Sequence, residues 1–414
     1  MTTLEPPPGP DDRFTPVFGQ DAYETDTLGA ESSRAAQSLA MSTEAFGTPS
    51  QVADIRDDAE ALGVPYVEPA GEELAIWRDQ ERLDDLTRFA LRDHGVSGPE
   101  GWYLGAPTRK EEEIALWRNV EFTHAPTALL ALLNYTLGSE AEVERVAAAA
   151  GLRAFGGEGL VGASGVLTQS LESEDDHVAM MARAVLGEEG PTATGGPTSA
   201  AGGAAPPATG AEVSLAIHGT WAQVAKDSWY VPGSPLHSHL LDACTPNLYD
   251  EVTYFTWSGV FSQEARDAGA SELRVWHDAL ALPPFDTVFT HSHGGNVALT
   301  ASGNGEVVRM FVLMHTPVLP RSDDEWGRIR DHVGRAVVMR TRLDHVVLAD
   351  GLVNGSTQRF DQAKLPHKPV ELHWANPDAW FSHTFFTKLE NWQKYDLAGA
   401  VIREHVYAAQ LSSP

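Results

Sequence analysis

One stretch in the second half of the chain constrains the fold more than any other. Residues Thr287–Thr290 form an apolar run with the composition of a buried strand, and the polar turn His291-Ser292-His293-Gly294-Gly295 follows it directly. Apolar residues resume at Val297. A strand, a tight turn and the start of a helix therefore follow one another without a loop, with a serine at the apex of the turn.

The same alternation of strand-like and helix-like segments runs through residues 212–414. Besides the run before Ser292, short apolar runs predict strands at 213–217, 252–257, 308–314, 336–339 and 370–374. Amphipathic segments between them predict helices, and one long helix over about 388–410 closes the chain. This alternation favours a mostly parallel sheet with helices on both faces.

The residues before 212 have a different texture. Residues 187–211 are almost entirely Gly, Ala, Pro, Thr and Ser, which is the composition of a flexible linker. Residues 51–186 carry apolar residues at helical spacing and predict a separate all-α domain, whereas residues 1–50 predict a disordered or loosely packed segment. A weak repeat, in which the pattern around Leu137 recurs around Leu171, resembles HEAT-type helical repeats, and a generic helical bundle is the alternative.

The charge of the chain excludes some classes of partner. The formal net charge is −29, and residues 212–414, with 23 acidic and 16 basic residues, contribute only −7 of it. Such acidity argues against binding to nucleic acids or to anionic membranes, and the acidic N-terminal half could select a basic protein partner. With one cysteine, no signal sequence and no apolar run long enough to span a membrane, the expected location is cytoplasmic.

The strand, turn and helix around Ser292 resemble the nucleophile elbow of the α/β-hydrolase superfamily, whose usual form is Gly-x-Ser-x-Gly. Gly294 fills the second glycine position, and Thr290 stands where the family usually has the first. The resemblance implies an α/β-hydrolase fold for residues 212–414. It also implies that Ser292 is a nucleophile held in a strained backbone conformation.

Two later motifs extend the resemblance. Asp344, in the loop after the strand predicted at 336–339, matches the family's acid, and Asp350 is the alternative. His383, after the last predicted strand, matches the general base, and His373 within that strand is the alternative. The order Ser292, Asp344, His383 is the order in which the family arranges its catalytic triad along the chain.

The resemblance also implies an oxyanion hole and a substrate pocket. The first predicted strand ends in His218-Gly219, as in lipase-type hydrolases, so the backbone N–H groups of Thr220 and His293 would be the oxyanion donors. An aromatic wall for the acyl group, or alternatively core packing, is expected from Trp221, Trp229 and Tyr230.

The expected function is therefore that of a lipase- or esterase-like serine hydrolase acting on an ester or lipid substrate through an acyl-enzyme. It would need neither a metal nor an organic cofactor, and the helical domain would serve protein interaction or regulation. Two alternatives stay open: a catalytically inactive hydrolase-fold binding protein, and a metallo-hydrolase using His291 and His293. The second resembles the Thr-His-x-His start of metallo-β-lactamase-type sites, although Gly295 and Asn296 stand where those sites have Asp and His.

Overall fold

In the part of the chain that the computed structural model describes, five parallel strands form one sheet and follow one another in chain order from edge to edge. The structure describes residues 21–25, 28–93, 107–187, 212–222, 228–370 and 380–411. The strands are β1 Val213–Ile217, β2 Phe285–His291, β3 Val308–Met314, β4 Val333–Met339 and β5 His367–Val370. The prediction of a mixed α/β fold around a parallel sheet is confirmed.

Four of the predicted strands coincide with β1 to β4, but the strand predicted at 252–257 is wrong. The outer edge of β1 is hydrogen-bonded instead to residues 247–249. Ser214 N–H donates to Asn247 O, and Tyr249 N–H donates to Ser214 O. Residues 254–260 have no regular secondary structure, and Phe255 and Trp257 are buried in the core. The apolar character of this segment therefore reflects core packing and not a sheet ladder. Of the strand predicted at 370–374, only residue 370 lies within the described residues, where β5 ends.

Helices pack against the sheet and make up most of the described residues before β1. In chain order they are α1 Asp21–Glu24, α2 Leu28–Phe46, α3 Pro49–Ala61, α4 Gln80–Asp93, α5 Arg109–Thr123, α6 Pro126–Thr136, α7 Glu142–Gly156, α8 Val161–Ser170, α9 Asp176–Leu186, α10 Pro235–Ala243, α11 Gln263–Ala279, α12 His293–Gly303, α13 Asp323–His332, α14 His345–Asn354, α15 Leu389–Lys394 and α16 Leu397–Leu411. Among the described residues, 3-10 helices lie at Glu72–Arg78, Gly157–Gly159 and Phe385–Thr387.

The prediction that residues 1–50 are disordered or loosely packed is wrong for helix α2. Its side chains are largely buried and it packs against α7. The sequence is rich in Ser and Thr, but Ser42 and Thr43 donate their hydroxyls to the carbonyls of Ser38 and Leu39 four residues earlier. Because these bonds satisfy the hydroxyls within the helix, the polar composition does not prevent burial. Residues 1–20 and 26–27 lie outside the described residues.

The long closing helix of the prediction is two helices. Asp396, between α15 and α16, has φ 49°, which lies in the left-handed region and ends the first helix. The repeat in the N-terminal half stays a prediction, although α7 and α9 begin at Glu142 and Asp176, the same offset that separates Leu137 from Leu171. No helix within the described ranges is long and apolar enough to cross a bilayer.

The chain divides into two compact units that are not consecutive in sequence. The helical unit comprises residues 1–186 together with 342–355 and 372–382, and the sheet unit comprises 187–341, 356–371 and 383–414. The sequence predicts that residues 212–414 form one domain, whereas two segments of that range belong to the helical unit. The reason for the first segment is its helix, α14, whose residues 345–351 are all buried and which packs against α2, α7 and α9. The predicted linker, apart from residue 187, lies outside the described residues.

The core of the sheet unit forms between the sheet and its helices. Strand residues such as Val288 and Phe311 pack with Trp257 and with Trp326 of α13. Helix α12 contacts α11 and α13 as well as the three strands β1 to β3. These contacts fix the position at which β2 turns into α12, and that position is Ser292.

Candidate functional site

Ser292 occupies the single residue between the end of β2 and the start of α12. Its backbone has φ 50° and ψ −135°, a region that side-chain-bearing residues rarely adopt. The Ser292 N–H donates to Met314 O at 2.9 Å, and Gly295 N–H donates to Ser292 O at 3.0 Å. The surrounding backbone thus holds a strained serine at the carboxyl edge of the sheet, where parallel sheets bind their ligands.

Two glycines make this turn possible by close contact. A Cβ at Gly294 would lie 2.2 Å from His218 O, and a Cβ at Gly219 would lie 2.8 Å from Ser292 Cβ. The loop after β1 therefore lies directly against the nucleophile candidate and against the first turn of α12. Among the described residues, the Ser292 hydroxyl has no hydrogen-bond partner.

Thr290, the departure from the elbow pattern, is accommodated by the neighbouring strand. Its side chain is fully buried, and Oγ1 donates to Val312 O of β3 at 3.3 Å. A threonine fits at this position because the strand provides an acceptor for its hydroxyl.

The two predicted oxyanion donors both adjoin Ser292. His293 is the first residue of α12, and the first N–H groups of a helix have no acceptor within the helix. Thr220 follows Gly219, the residue in contact with Ser292. Within the part of the chain that the structure describes, neither N–H has a hydrogen-bond acceptor. Two backbone donors and the positive end of the α12 dipole therefore lie beside the serine.

His218 is a neutral structural histidine. Its Nε2 accepts from Trp257 N–H at 3.3 Å, so Nδ1 carries the hydrogen and donates to Gly219 O at 2.8 Å. Burial lowers the pKa of His218 to about 4. The Trp257 indole also donates to His218 O at 2.9 Å, which holds the backbone that faces Gly294.

The His293 imidazole is held in one tautomer. The Asn296 amide donates to its Nδ1 at 3.2 Å, and Arg321 fixes that amide by donating to Asn296 Oδ1 at 3.3 Å. The hydrogen of the neutral ring is therefore on Nε2. Burial, with the Arg266 guanidinium as the next cause, holds the pKa of His293 well below its usual range.

The three aromatic candidates of the sequence analysis are all buried. Trp221 stacks on Phe261 with 5.2 Å between ring centroids, and the Phe261 ring meets His293 edge-on at 5.1 Å. Tyr230 packs against the His218 ring at 4.6 Å, and Trp229 packs against Tyr230 at 6.1 Å. Trp221 thus contacts the site through Phe261, and Tyr230 contacts it through His218. Trp229 packs against Tyr230 and is one ring further away.

His383, the predicted base, lies in the sheet unit with the serine. His291 donates its Nε2–H to His383 O at 2.9 Å, and the two rings are 5.0 Å apart. Because His291 immediately precedes Ser292, this bond ties the backbone of His383 to the turn. His373, the alternative base, lies outside the described residues.

His315 is a neighbour that the sequence analysis did not identify. It directly follows β3, has φ 50°, and is buried with its ring 5.4 Å from that of His383 and 5.9 Å from that of His291. The signal was its position, since a polar residue immediately after a parallel strand lies at the same edge as Ser292.

Asp344, the predicted acid, belongs to the helical unit. It is buried and forms the N-cap of α14, where its Oδ1 accepts from Val346 N–H at 3.0 Å and from Val347 N–H at 3.3 Å. Asp350, the alternative, is also buried and lies in the second turn of α14. Its carboxylate accepts from the Asn354 amide at 2.9 Å.

The geometry does not favour a metal site at His291 and His293. His291 Nε2 is engaged with a carbonyl, and His293 Nδ1 accepts from Asn296. Neither histidine belongs to any group of three close ligand atoms within the described ranges.

A groove of about 670 Å³ lies within the helical unit, and none of the predicted site residues lines it. Its walls come mainly from α4, the end of α5 and the start of α6, and include the apolar residues Ile76, Trp77, Leu86 and Phe89.

Comparisons of the chain with protein-family models, with curated proteins and with solved structures find no match.

Proposed function

We propose that the chain is a serine hydrolase of the α/β-hydrolase type, acting on carboxylic esters through an acyl-enzyme. Ser292 attacks the ester carbonyl, His383 accepts its proton and later delivers it to the leaving alkoxide, and Asp344 orients His383. The backbone N–H groups of Thr220 and His293 stabilise the developing oxyanion. Water then releases the acid from the acyl-enzyme.

The observation that carries the proposal is the backbone of Ser292. A non-glycine residue at φ 50° and ψ −135° persists only where its surroundings enforce it, and such strain is concentrated at functional sites. Gly294 and Gly219 allow the close contacts that enforce it, and the strand–serine–helix order is that of a nucleophile elbow.

Hydrogen bonds near the chain segments that carry the acid and the base support the pairing of Asp344 with His383. Phe381 N–H donates to Arg342 O at 2.8 Å, and His345 N–H donates to Phe381 O at 3.3 Å. Asp344 is covalently bonded to His345, and His383 is two residues beyond Phe381. The acid and the base are therefore both close in sequence to this pair of hydrogen bonds.

The proposed substrate class is inferred from the aromatic rings near the oxyanion donors. Trp221 and Phe261 lead to His293, and these side chains are buried. An apolar wall of this kind favours an uncharged acyl chain, because burial of a charged group without a partner is costly.

The test is an ester panel with acyl groups graded from acetate to dodecanoate, assayed on wild type and Ser292→Ala. Loss of the nucleophile is expected to lower kcat by about 10⁴-fold or more. Ser302→Ala, the same change at a buried serine of the same helix, is the matched control and is expected to keep its activity. Equal turnover by wild type and Ser292→Ala would contradict the mechanism.

Covalent labelling with a fluorophosphonate separates the proposal from a hydrolase fold that only binds. The probe is expected to modify Ser292 in the folded protein and to spare the Ser292→Ala variant. A folded wild type that is neither labelled nor active would favour the binding protein.

A further inference from the structure

The segment that carries Asp344 is built into the N-terminal helices. Asp344 caps α14, residues 345–351 of this helix are buried, and the helix packs against α2, α7 and α9. These three helices come from the first 186 residues of the chain. The surroundings of Asp344 within its own unit are therefore supplied by residues that precede it by more than 150 positions.

One anchor lies two residues before Asp344. Arg342 Nη1 donates to Asp58 Oδ1 of α3 at 2.8 Å, and the Asp58 side chain is fully buried. Removing one partner of such a pair is costly because it leaves the other charge without compensation. The Arg342 guanidinium also lies over the Trp380 ring at 5.3 Å, so its orientation is fixed on two sides.

A second anchor lies one residue after Asp344. His345 Nε2 contacts Ser32 O at 3.1 Å, and a carbonyl can only accept, so Nε2 donates. His345 Nδ1 must then accept, and it does so from His177 Nε2–H of α9 at 3.0 Å. The His345 ring is also stacked on Phe381 at 5.1 Å between centroids.

Further anchors hold the end of α14. Gln51 of α3 donates its side-chain amide to Gly351 O, and Asn354 donates to Ala184 O of α9 at 3.4 Å. Hydrogen bonds from α2, α3 and α9 therefore reach both ends of the helix, and two of the anchors flank Asp344 within two residues.

We propose that Asp58 and His177 are positioning residues for Asp344, so that the N-terminal helices set the orientation of the acid in the reaction. This inference rests on the proposed function, because it deepens the role of the same site. The helices act within the reaction itself, which goes beyond the binding or regulatory role expected from their sequence.

The experiment compares kcat for Asp58→Asn with kcat for Glu60→Gln, which neutralises an exposed carboxylate two residues away on the same helix. Asp58→Asn is expected to lower kcat about tenfold with little change in KM, because small displacements of a catalytic group are costly. Glu60→Gln is expected to match wild type. In an Asp344→Asn background the Asp58→Asn change is expected to have no further effect on kcat.

Two variants at His177 test the same inference in case Asp58→Asn does not fold. His177→Leu removes the donor to His345 and is expected to lower kcat, whereas His177→Gln retains an N–H donor and is expected to restore most of it. A purely structural role would lower thermal stability without this dependence on the donor and on Asp344.

Three outcomes would overturn the inference. Asp58→Asn and His177→Leu could both match Glu60→Gln while wild type turns over ester. The loss caused by Asp58→Asn could persist undiminished in the Asp344→Asn background. Wild type could show no turnover that depends on Ser292, in which case the proposed function fails first, and the Ser292→Ala comparison identifies that case.

Discussion

Helices α12 and α14 begin directly after Ser292 and Asp344, respectively, but they pack in different units. Helix α12 begins directly after β2 and packs within the sheet unit, against α11, α13 and three strands. Helix α14 begins after β4, and it packs against α2, α7 and α9 of the helical unit. One nucleophile candidate is thus held by its own sheet, and one acid candidate is held by helices that are remote in sequence.

The surroundings of the two candidates therefore depend on different parts of the chain. The strain at Ser292 depends on contacts among residues of the sheet unit, such as that between Gly294 and His218. The orientation of Asp344 depends on Asp58, Ser32 and His177 within the helical unit. A substitution can therefore alter the surroundings of Asp344 and leave the turn at Ser292 intact, or the reverse.

The largest effect is expected from Asp344→Asn. In the proposed mechanism this carboxylate orients His383, so its loss is expected to lower kcat about 10⁴-fold, while the cap of α14 survives because Asn is also a good N-cap. Steady-state kinetics and thermal unfolding measure the two effects separately. The control is Asp350→Asn, which changes the alternative acid six residues later. A larger loss from Asp350→Asn than from Asp344→Asn would transfer the role of acid to Asp350.

The next effect is expected on the sheet side, from Gly294→Ala. The added Cβ would meet His218 O at 2.2 Å, which is backbone and cannot rotate away. The free energy of unfolding is expected to fall by about 3 kcal/mol or more, and labelling of Ser292 is expected to be lost with the elbow. Gly303→Ala, at the other end of α12, is the matched control, because its Cβ would find only an ordinary contact at 3.4 Å with Ile329. A Gly294→Ala variant as stable as Gly303→Ala would show that the turn is not closely packed.

A smaller effect is expected from pH, and it compares one buried histidine in each unit. Burial lowers the pKa of His218 to about 4 and that of His345 to about 3. Each unfolded imidazole takes up a proton below its usual pKa of about 6.5, and the folded one does not until much lower pH. The free energy of unfolding should therefore fall as the pH is lowered through this window, by about 2 kcal/mol per histidine between pH 7 and pH 5.

Denaturant unfolding at the two pH values measures this contribution. His218→Asn and His345→Asn should each remove about 2 kcal/mol of the wild-type decrease between pH 7 and pH 5. A decrease that is unchanged in both variants would mean that folding lowers the pKa of neither histidine.

Local sequence patterns predicted much of the structure of the sheet unit. Each strand from β1 to β4 contains an apolar run and is followed by polar residues, and the motif at Ser292 predicted both the turn and its strain. The strand predicted at Val252–Trp257 is wrong because a segment with aromatic side chains buried against a helix can have the same composition as a strand. His315 was missed because its position after a strand was its only signal, and no motif surrounds it.

The helical side was less predictable for a physical reason. Helix α14 is mostly apolar, and such a sequence indicates burial but not the partner that provides it. The pairs Asp58–Arg342 and His177–His345 join residues 284 and 168 positions apart, which no local pattern can reveal. Helix α2 was misassigned because its hydroxyls are satisfied by carbonyls one turn earlier, a compensation that composition does not show.

The placement of α14 also has a consequence for synthesis. The first 186 residues leave the ribosome without the helix that packs among α2, α7 and α9, and that helix ends at Asn354. At ordinary elongation rates the interval is on the order of ten seconds, during which the apolar surfaces that α14 covers stay exposed. Completion of the N-terminal unit therefore waits for a late segment of the nascent chain, and slow translation across residues 187–354 would lengthen the period in which it is prone to aggregate.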